Sequence, residues 1–258
     1  MSLSVRHLSF SYGEQEILRD VNFAARQGEL VAVLGANGAG KSTLFRCILG
    51  SLPNYSGVIS VNDTDLRRLT ARELAKHIAY IPQSHHPTFG YTVLDTALMG
   101  LSRQIGTFSQ PKGEHTALAL SALSRLGIAD LADRDFSHLS GGEQQLVLIA
   151  RAMTQQAEIL VMDEPTASLD YGNQLRVLRQ IKELTKQGYT VLFSTHNPQH
   201  ALYFADRVLA LNGGTVAAFG PTREVLTPDL LRNLYHVETD FADTPTGAVI
   251  VPHTGGGD

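Results

Sequence analysis

The residues with the most specific chemistry lie at 35–43, GANGAGKST. Gly35, Gly40, Lys41 and Ser42 fit the spacing glycine, four free positions, then Gly-Lys-Ser, which marks a phosphate-binding loop. The context also fits. The loop follows ELVAVL (29–34), a continuous apolar run that reads as a buried strand, and it opens a helical stretch, STLFRCIL (42–49). Glycines at 35, 38 and 40 let successive backbone N–H groups converge on phosphate oxygens, and the helix start adds a favourable dipole. Asn37, Ala39 and Thr43 complete the cradle. Lys41 is placed to reach the β- and γ-phosphates, and Ser42 to offer a hydroxyl to Mg²⁺. This is a nucleoside triphosphate site, and the motif does not say which triphosphate.

A metal on those phosphates needs a carboxylate at the end of another buried strand, and EILVMDE (158–164) supplies one. Asp163 is the expected Mg²⁺ partner, acting through water. Consecutive residues at a strand end point in different directions, so Glu164 is free to orient or deprotonate the water that attacks the γ-phosphate. A base so positioned typically contributes ~10²- to 10⁴-fold.

A second glycine pair stands a hundred residues further on, in LSGGEQQ (139–145). Two readings are open. Ser140 and Glu143 make a capping box, in which each side chain satisfies the other's backbone N–H. Alternatively, Gly141 and Gly142 leave bare N–H groups at a helix start, which is an anion site. A capping box does not need two glycines, and glycine weakens a helix by its conformational entropy.

The elements that must hold these groups alternate. SVRHLSFSY and DVNFAA read as antiparallel strands either side of a polar turn. GVISVND and IAYIPQ read as strands flanking the short helix TARELAKH. A helical insertion follows, over about 84–138 by texture. It contains a loop at SHHPTFGY with His85 and His86, a helix at TVLDTALMGL, a linker-like SRQIGTFSQPKG and a helix at EHTALALSALSRLG. Strand and helix then alternate again through EQQLVLIARAM, EILVMDE, a helix at 171–187, YTVLFST and a helix from Pro198. RVLALNGGTVAAFG reads as a hairpin across the Asn-Gly-Gly turn. Such alternation predicts an α/β fold with a mostly parallel sheet covered on both faces. The final DTPTGAVIVPHTGGGD (243–258) reads as a loosely held tail.

Composition narrows the class. The chain has 258 residues, 43% apolar and 18% charged, as expected of a globular protein with a substantial core. A formal net charge of -4 argues against a general nucleic-acid binder. Cys47 is the only cysteine, so no internal disulfide forms and a reducing compartment is expected. Cys47 reads as core. No apolar run reaches the ~18–20 residues that cross a bilayer, and MSLSVRHLSF lacks a secretory apolar core. Any membrane role must come through a partner. His196 and His200 are four apart, but no third metal ligand is evident.

LSGGE between a phosphate loop and an ILVMDE strand resembles the ATP-binding cassette (ABC) ATPases. The resemblance runs from about residue 3 to 235. It implies a P-loop NTPase cassette at 1–242, with an antiparallel β subdomain and a helical subdomain at about 84–155. It implies that Tyr12 stacks on adenine and that Gln83, at a strand end, serves both the metal and the reaction. Asp170, in Ser168-Leu169-Asp170, matches the loop that faces the nucleotide across the dimer, and His196 matches the γ-phosphate histidine. In this family two cassettes pack head to tail, so Ser140, Gly141 and Gly142 would close over ATP held by a second copy.

A finer resemblance, to the ATPases of bacterial metal-chelate importers, rests on IPQ…TVLDTALMG (81–100), THNPQHAL (195–202) and GPTREVLTPDLLRNLYHV (220–237). Asn197 departs from the family's frequent Asp. The resemblance implies two integral membrane permease subunits, a second copy of this chain, and a substrate-binding protein in the full system, with the ATPase peripheral on the cytoplasmic face. The helical insertion and the Gln83 loop would take up a short permease helix. The rival readings are a soluble ABC ATPase serving a protein scaffold, as in iron–sulfur cluster assembly, and a nucleotide-gated module without hydrolysis.

Overall fold

The computed structural model describes residues 3–83, 90–102 and 111–253. His85 and His86, and the linker from 103 to 110, fall outside these residues. Strands β1 (Leu3–Tyr12) and β2 (Gln15–Ala25) form an antiparallel pair. With β4 (Ser56–Val61) and the short β5 (Thr64–Asp65) they build a four-stranded sheet in the order β2-β1-β4-β5.

The central sheet contains β3 (Leu30–Leu34), β6 (Ile78–Ile81), β7 (Ile159–Met162), β8 (Thr190–Thr195), β9 (Arg207–Asn212) and β10 (Thr215–Pro221). Its order is β10-β9-β3-β8-β7-β6. All pairings are parallel except β9 with β10, the expected hairpin. Both faces are covered. On β3, Leu30, Ala32 and Leu34 face one core, while Val31 and Val33 face another. Strict alternation with apolar residues on both sides is what a doubly covered strand requires.

The first core packs beneath α3 (Val93–Leu98), α4 (Gly113–Arg125), α5 (Gly141–Thr154) and α6 (Tyr171–Lys186). Helix α5 is nearly engulfed, with Leu146, Val147, Leu148 and Ile149 all buried, so its apolar run is not an amphipathic stripe. The second core joins the sheet to α1 (Lys41–Ile48) and the antiparallel strands. Two capping boxes start helices as the sequence requires: Thr70 with Glu73 for α2 (Ala71–His77), and Thr92 with Asp95 for α3. Helix α7 (Pro198–Phe204) begins with Asn197, whose side chain accepts from the Gln199 N–H. Among the described residues no helix is long and apolar enough to cross a membrane.

The tail differs from expectation. After α8 (Thr222–Val225) and α9 (Pro228–Tyr235), β11 (Thr239–Thr244) and β12 (Gly247–Pro252) form an antiparallel hairpin. It is docked and not loosely held: Gln199 of α7 accepts from the Ile250 N–H at 2.8 Å, and Phe241 and Ile250 pack on the main core. The expected boundary at 242/243 therefore cuts β11. The β-branched run Val249-Ile250-Val251 after a Thr-Gly turn was the available signal.

Candidate active site

Four neighbouring strands, β3, β8, β7 and β6, end on the same edge of the sheet. At those ends stand the phosphate loop, His196, the Asp163-Glu164 pair and Gln83 in turn. Ligands bind outside the carboxyl ends of parallel strands for this geometric reason: the loops there converge.

Helix α1 has no side-chain cap. Its N-cap, Gly40, is left-handed at φ 100°, and no acidic residue stands in the first turn. A Cβ at Gly40 would lie 2.8 Å from Leu18 Cδ2, so the antiparallel sheet holds the loop from outside. The orphan N–H groups of this helix start are thus free of acidic competitors. Lys41 is buried, and its Nζ donates to the carbonyls of Gly35 (2.8 Å) and Ala36 (3.1 Å). Burial lowers its pKa, while the charges of Glu164 and Asp163 pull the other way. Asn37 and Gly38 are exposed, Ala39 is buried and Thr43 partly so.

Asp163 is tied down from two sides. Ser42 Oγ donates to its Oδ2 at 3.0 Å, and Ser194 Oγ donates to Oδ1 at 2.6 Å. Ser194 also accepts the Glu164 N–H at 2.9 Å. Ser42 and Asp163 thus form a pair of hard oxygen donors beside the phosphate loop, which suits Mg²⁺, an ion that usually keeps waters and takes phosphate oxygens for its other positions. Among the described residues no group of three or more His, Cys, Asp or Glu could hold a metal unaided. The fit is therefore to a metal that arrives with a phosphate ligand.

Glu164 has φ 44°, a left-handed conformation rare outside glycine. Its Oε2 lies 3.3 Å from His196 Nδ1. The Glu164 side chain is 17% exposed and that of His196 60%. The carboxylate is thus sheltered, and the imidazole stands between it and solvent. His200, one turn on, is buried, and its pKa is lowered by burial and then by His196. Burial also pushes the Cys47 thiol up to about 12, so the thiol is unreactive at neutral pH.

Gln83 is exposed and makes no hydrogen bond to Ser42 or Asp163. It lines a cavity of about 140 Å³ with Gly141, Gln145 and Ser168 instead. Tyr12 ends β1, 43% exposed, edge-on to Phe10, with its hydroxyl 3.5 Å from Arg46 of α1.

The glycine pair at 141 and 142 is capped within the chain. Ser140 Oγ donates to Glu143 Oε2 at 2.7 Å, the Ser140 N–H donates to the same oxygen at 2.9 Å, and Glu143 N–H returns at 3.4 Å. The pair also has a packing reason that sequence reasoning missed. A Cβ on Gly142 would meet Asn173 Oδ1 at 2.5 Å, and one on Gly141 would meet Leu169 Cδ2 at 3.1 Å. Asp170 likewise caps α6, accepting from Asn173 N–H at 2.9 Å and Asn173 Nδ2 at 2.7 Å. Four residues after each cap a glutamine closes the preceding loop. Gln144 donates to the Phe136 and Leu139 carbonyls, and Gln174 to those of Thr166 and Leu169. Ser194, Asn173 and these glutamines escaped the sequence reading. A serine inside the apolar strand TVLFST was the one visible signal among them.

A family model described as ABC transporter matches residues 18–167. An uncharacterized ABC transporter ATP-binding protein of Haemophilus influenzae is 42% identical over 93% of this chain and 92% of its own. The molybdate import ATP-binding protein MolC of the same organism is 39% identical over 92% of this chain and 88% of its own. Among solved structures, a metal-chelate type ABC transporter in an inward-facing conformation aligns with a TM-score of 0.86 at 37% identity, covering 98% of this chain and 97% of that one. With its phosphate loop, carboxylate pair and LSGGE helix on one cassette fold, the chain belongs to the ABC transporter family as an ATP-binding subunit, the ATPase of a transport system.

Proposed function

We propose that this ATPase powers import of a metal chelate or metal oxyanion through an integral membrane permease, on whose cytoplasmic face it sits as a dimer. The observation that carries the reading is the match, over 98% of the chain, to a metal-chelate type transporter. The molybdate importer named among the relatives points the same way. Two permease subunits and a substrate-binding protein complete the system in this reading.

In the proposed cycle Tyr12 stacks on adenine, and N–H groups of the 35–43 loop hold the phosphates. Lys41 exchanges its two loop carbonyls for phosphate oxygens, an exchange of neutral acceptors for a charged one that strengthens each bond. Mg²⁺, held by Ser42 and Asp163 with water and phosphate oxygens, would neutralise charge on the triphosphate. Glu164 takes the proton of the attacking water, and its sheltered site keeps that carboxylate from bulk solvent. His196, already 3.3 Å from Glu164, contacts the γ-phosphate and fixes the base. Gln83 reports the state of the site to the permease contact. Ser140, Gly141, Gly142 and Asp170 belong to the second copy's nucleotide in this reading.

The test is a mild-detergent pull-down of the tagged chain from source-cell membranes, followed by mass spectrometry. A polytopic membrane protein at two copies to two of this chain is the expected result. Recovery of soluble partners alone would overturn the transport reading and leave the ATP chemistry intact.

A further inference from the structure

A buried serine in β8 touches both members of the carboxylate pair. Ser194 is 0% exposed and belongs to TVLFST, a wholly buried strand. The parallel register pairs Met162 of β7 with Phe193 of β8, so Asp163 and Ser194 come next, where the ladder ends. A serine hydroxyl has one proton and two lone pairs. Its proton goes to Asp163 Oδ1 at 2.6 Å, a length typical of an O–H bond to a carboxylate. Only acceptor capacity is left, and it takes the Glu164 N–H at 2.9 Å. Thr195, next in the strand, accepts the Asn197 N–H at 3.1 Å and so fixes the turn that carries His196.

Tying β7 to β8 does not require this hydroxyl. The two strands already share a ladder from Ile159 to Met162, and most side-chain hydrogen bonds in proteins go to backbone or water. What the hydroxyl adds lies at the two residues beyond the ladder. The Asp163 N–H donates to the Ile81 carbonyl of β6 at 3.0 Å, which fixes its backbone but not its carboxylate. Ser194 takes Oδ1 and leaves Oδ2 toward Ser42. At Glu164 the backbone turns left-handed, with φ 44°. A residue with a side chain keeps that conformation only where its surroundings enforce it. The bond from the Glu164 N–H to Ser194 is such a contact, and the carboxylate it helps to place lies 3.3 Å from His196. We propose that Ser194 is a positioning residue for ATP hydrolysis: its hydroxyl turns Asp163 so that Oδ2 serves the metal, and it fixes the backbone that aims Glu164 at the attacking water. The inference rests on the roles proposed above for Asp163 and Glu164 and adds what sets their geometry.

Threonine and valine are alike in shape, so Ser194→Thr and Ser194→Val in the full chain isolate the hydroxyl. Turnover at saturating MgATP should fall about tenfold or more in Ser194→Val and stay within about threefold of wild type in Ser194→Thr. A second readout needs no hydrolysis: calorimetry of the β,γ-imido analogue of ATP, with Mg²⁺ and again with EDTA. The gain in affinity that Mg²⁺ brings should shrink about tenfold in Ser194→Val, as when a group bonded to a metal ligand is lost. Affinity in EDTA should not change, whereas a loss of packing alone would leave the Mg²⁺ gain intact. Asp163→Asn is the reference. If it removes the gain while Ser194→Val keeps both gain and turnover, Ser194 has no positioning role and the roles of Asp163 and Glu164 stand. If Asp163→Asn itself keeps the gain, the metal role given to Asp163 fails, and this inference with it. Equal losses in Ser194→Thr and Ser194→Val assign the effect to packing and overturn the inference. Should neither fold, Ser194→Ala, which only removes an atom, decides by the same two readouts.

Discussion

Two helix starts in this protein carry glycine-rich loops, and they solve opposite problems. Helix α1 begins with a left-handed Gly40, no side-chain cap and no acid in its first turn. Helix α5 begins with a capping box in which Ser140 and Glu143 satisfy each other. The first leaves its N–H groups for a phosphate and keeps a buried lysine beside them. The second has part of its N–H set capped by its own side chains. Its glycines also have an internal use, because Asn173 of α6 occupies the space that a Cβ at residue 142 would need. A glycine pair in front of a helix is therefore not in itself a phosphate site. What separates the two is how much of the helix start side chains have taken: none at α1, and at α5 the N–H groups of Ser140 and Glu143 but, by this box, not those of Gly141 and Gly142.

The largest effect expected from breaking the first site is in Glu164→Gln. The amide cannot take a proton, so steady-state ATP turnover should fall by roughly 10²- to 10⁴-fold. With hydrolysis blocked, ATP held by the α1 loop should trap the α5 loop of a second copy. Size-exclusion chromatography with ATP should then show a dimer. A variant that turns over normally removes Glu164 from the role of base, and an inactive variant that stays monomeric with ATP argues against closure in trans.

Gly142→Ala sharpens the contrast from the other side. The new methyl meets Asn173 at distances no real Cβ adopts, and overpacking of this kind costs ~1–3 kcal/mol. Thermal denaturation should show it as a fall in Tm. Adding Asn173→Ala makes room and should recover most of the Tm. If ATP turnover recovers together with Tm, Gly142 serves packing alone. Turnover that stays low in the refolded double variant indicates that the bare glycine faces a ligand.

Ser140→Ala should have a smaller effect, lowering stability by roughly 0.5–2 kcal/mol as a lost N-cap does. Assayed well below Tm, its ATP turnover separates capping from nucleotide contact: a loss beyond the stability change belongs to the site.

The smallest effect is in the pH dependence. Bonds from Ser140 hold the Glu143 carboxyl below its usual range, and bonds from Asn173 do the same for Asp170. A depressed native pKa adds stability above the unfolded-state value, and the addition is lost as pH falls through the native one. Melting temperature should therefore drop on acidification below the usual carboxylate range. Glu143→Gln should flatten the drop slightly, and an unchanged profile would show that the α5 cap contributes nothing through its charge.

How much of this was legible in the sequence depends on the range of each interaction. The cap of α5 was readable because donor and acceptor are three residues apart, and so was the loop between β3 and α1, whose parts are contiguous. The docked hairpin at 239–252 was misread because its hold on the protein, through Gln199 and the main core, lies outside the segment itself. The same holds for Ser194, which organises Asp163 and Glu164 from 31 and 30 residues away.

The sequence by itself determined the local chemistry: a phosphate cradle, a carboxylate pair at a strand end, and helix starts with their caps. Only the tertiary structure decided which of these meet. Ser42 reaches Asp163 across 121 residues because β3, β8 and β7 lie side by side, an order that no local pattern encodes. It likewise set Gly142 against Asn173. Those outcomes depend on how distant apolar faces share two cores, and burial is non-directional along the chain. Residues of the same type therefore acquire different roles according to what the fold packs against them.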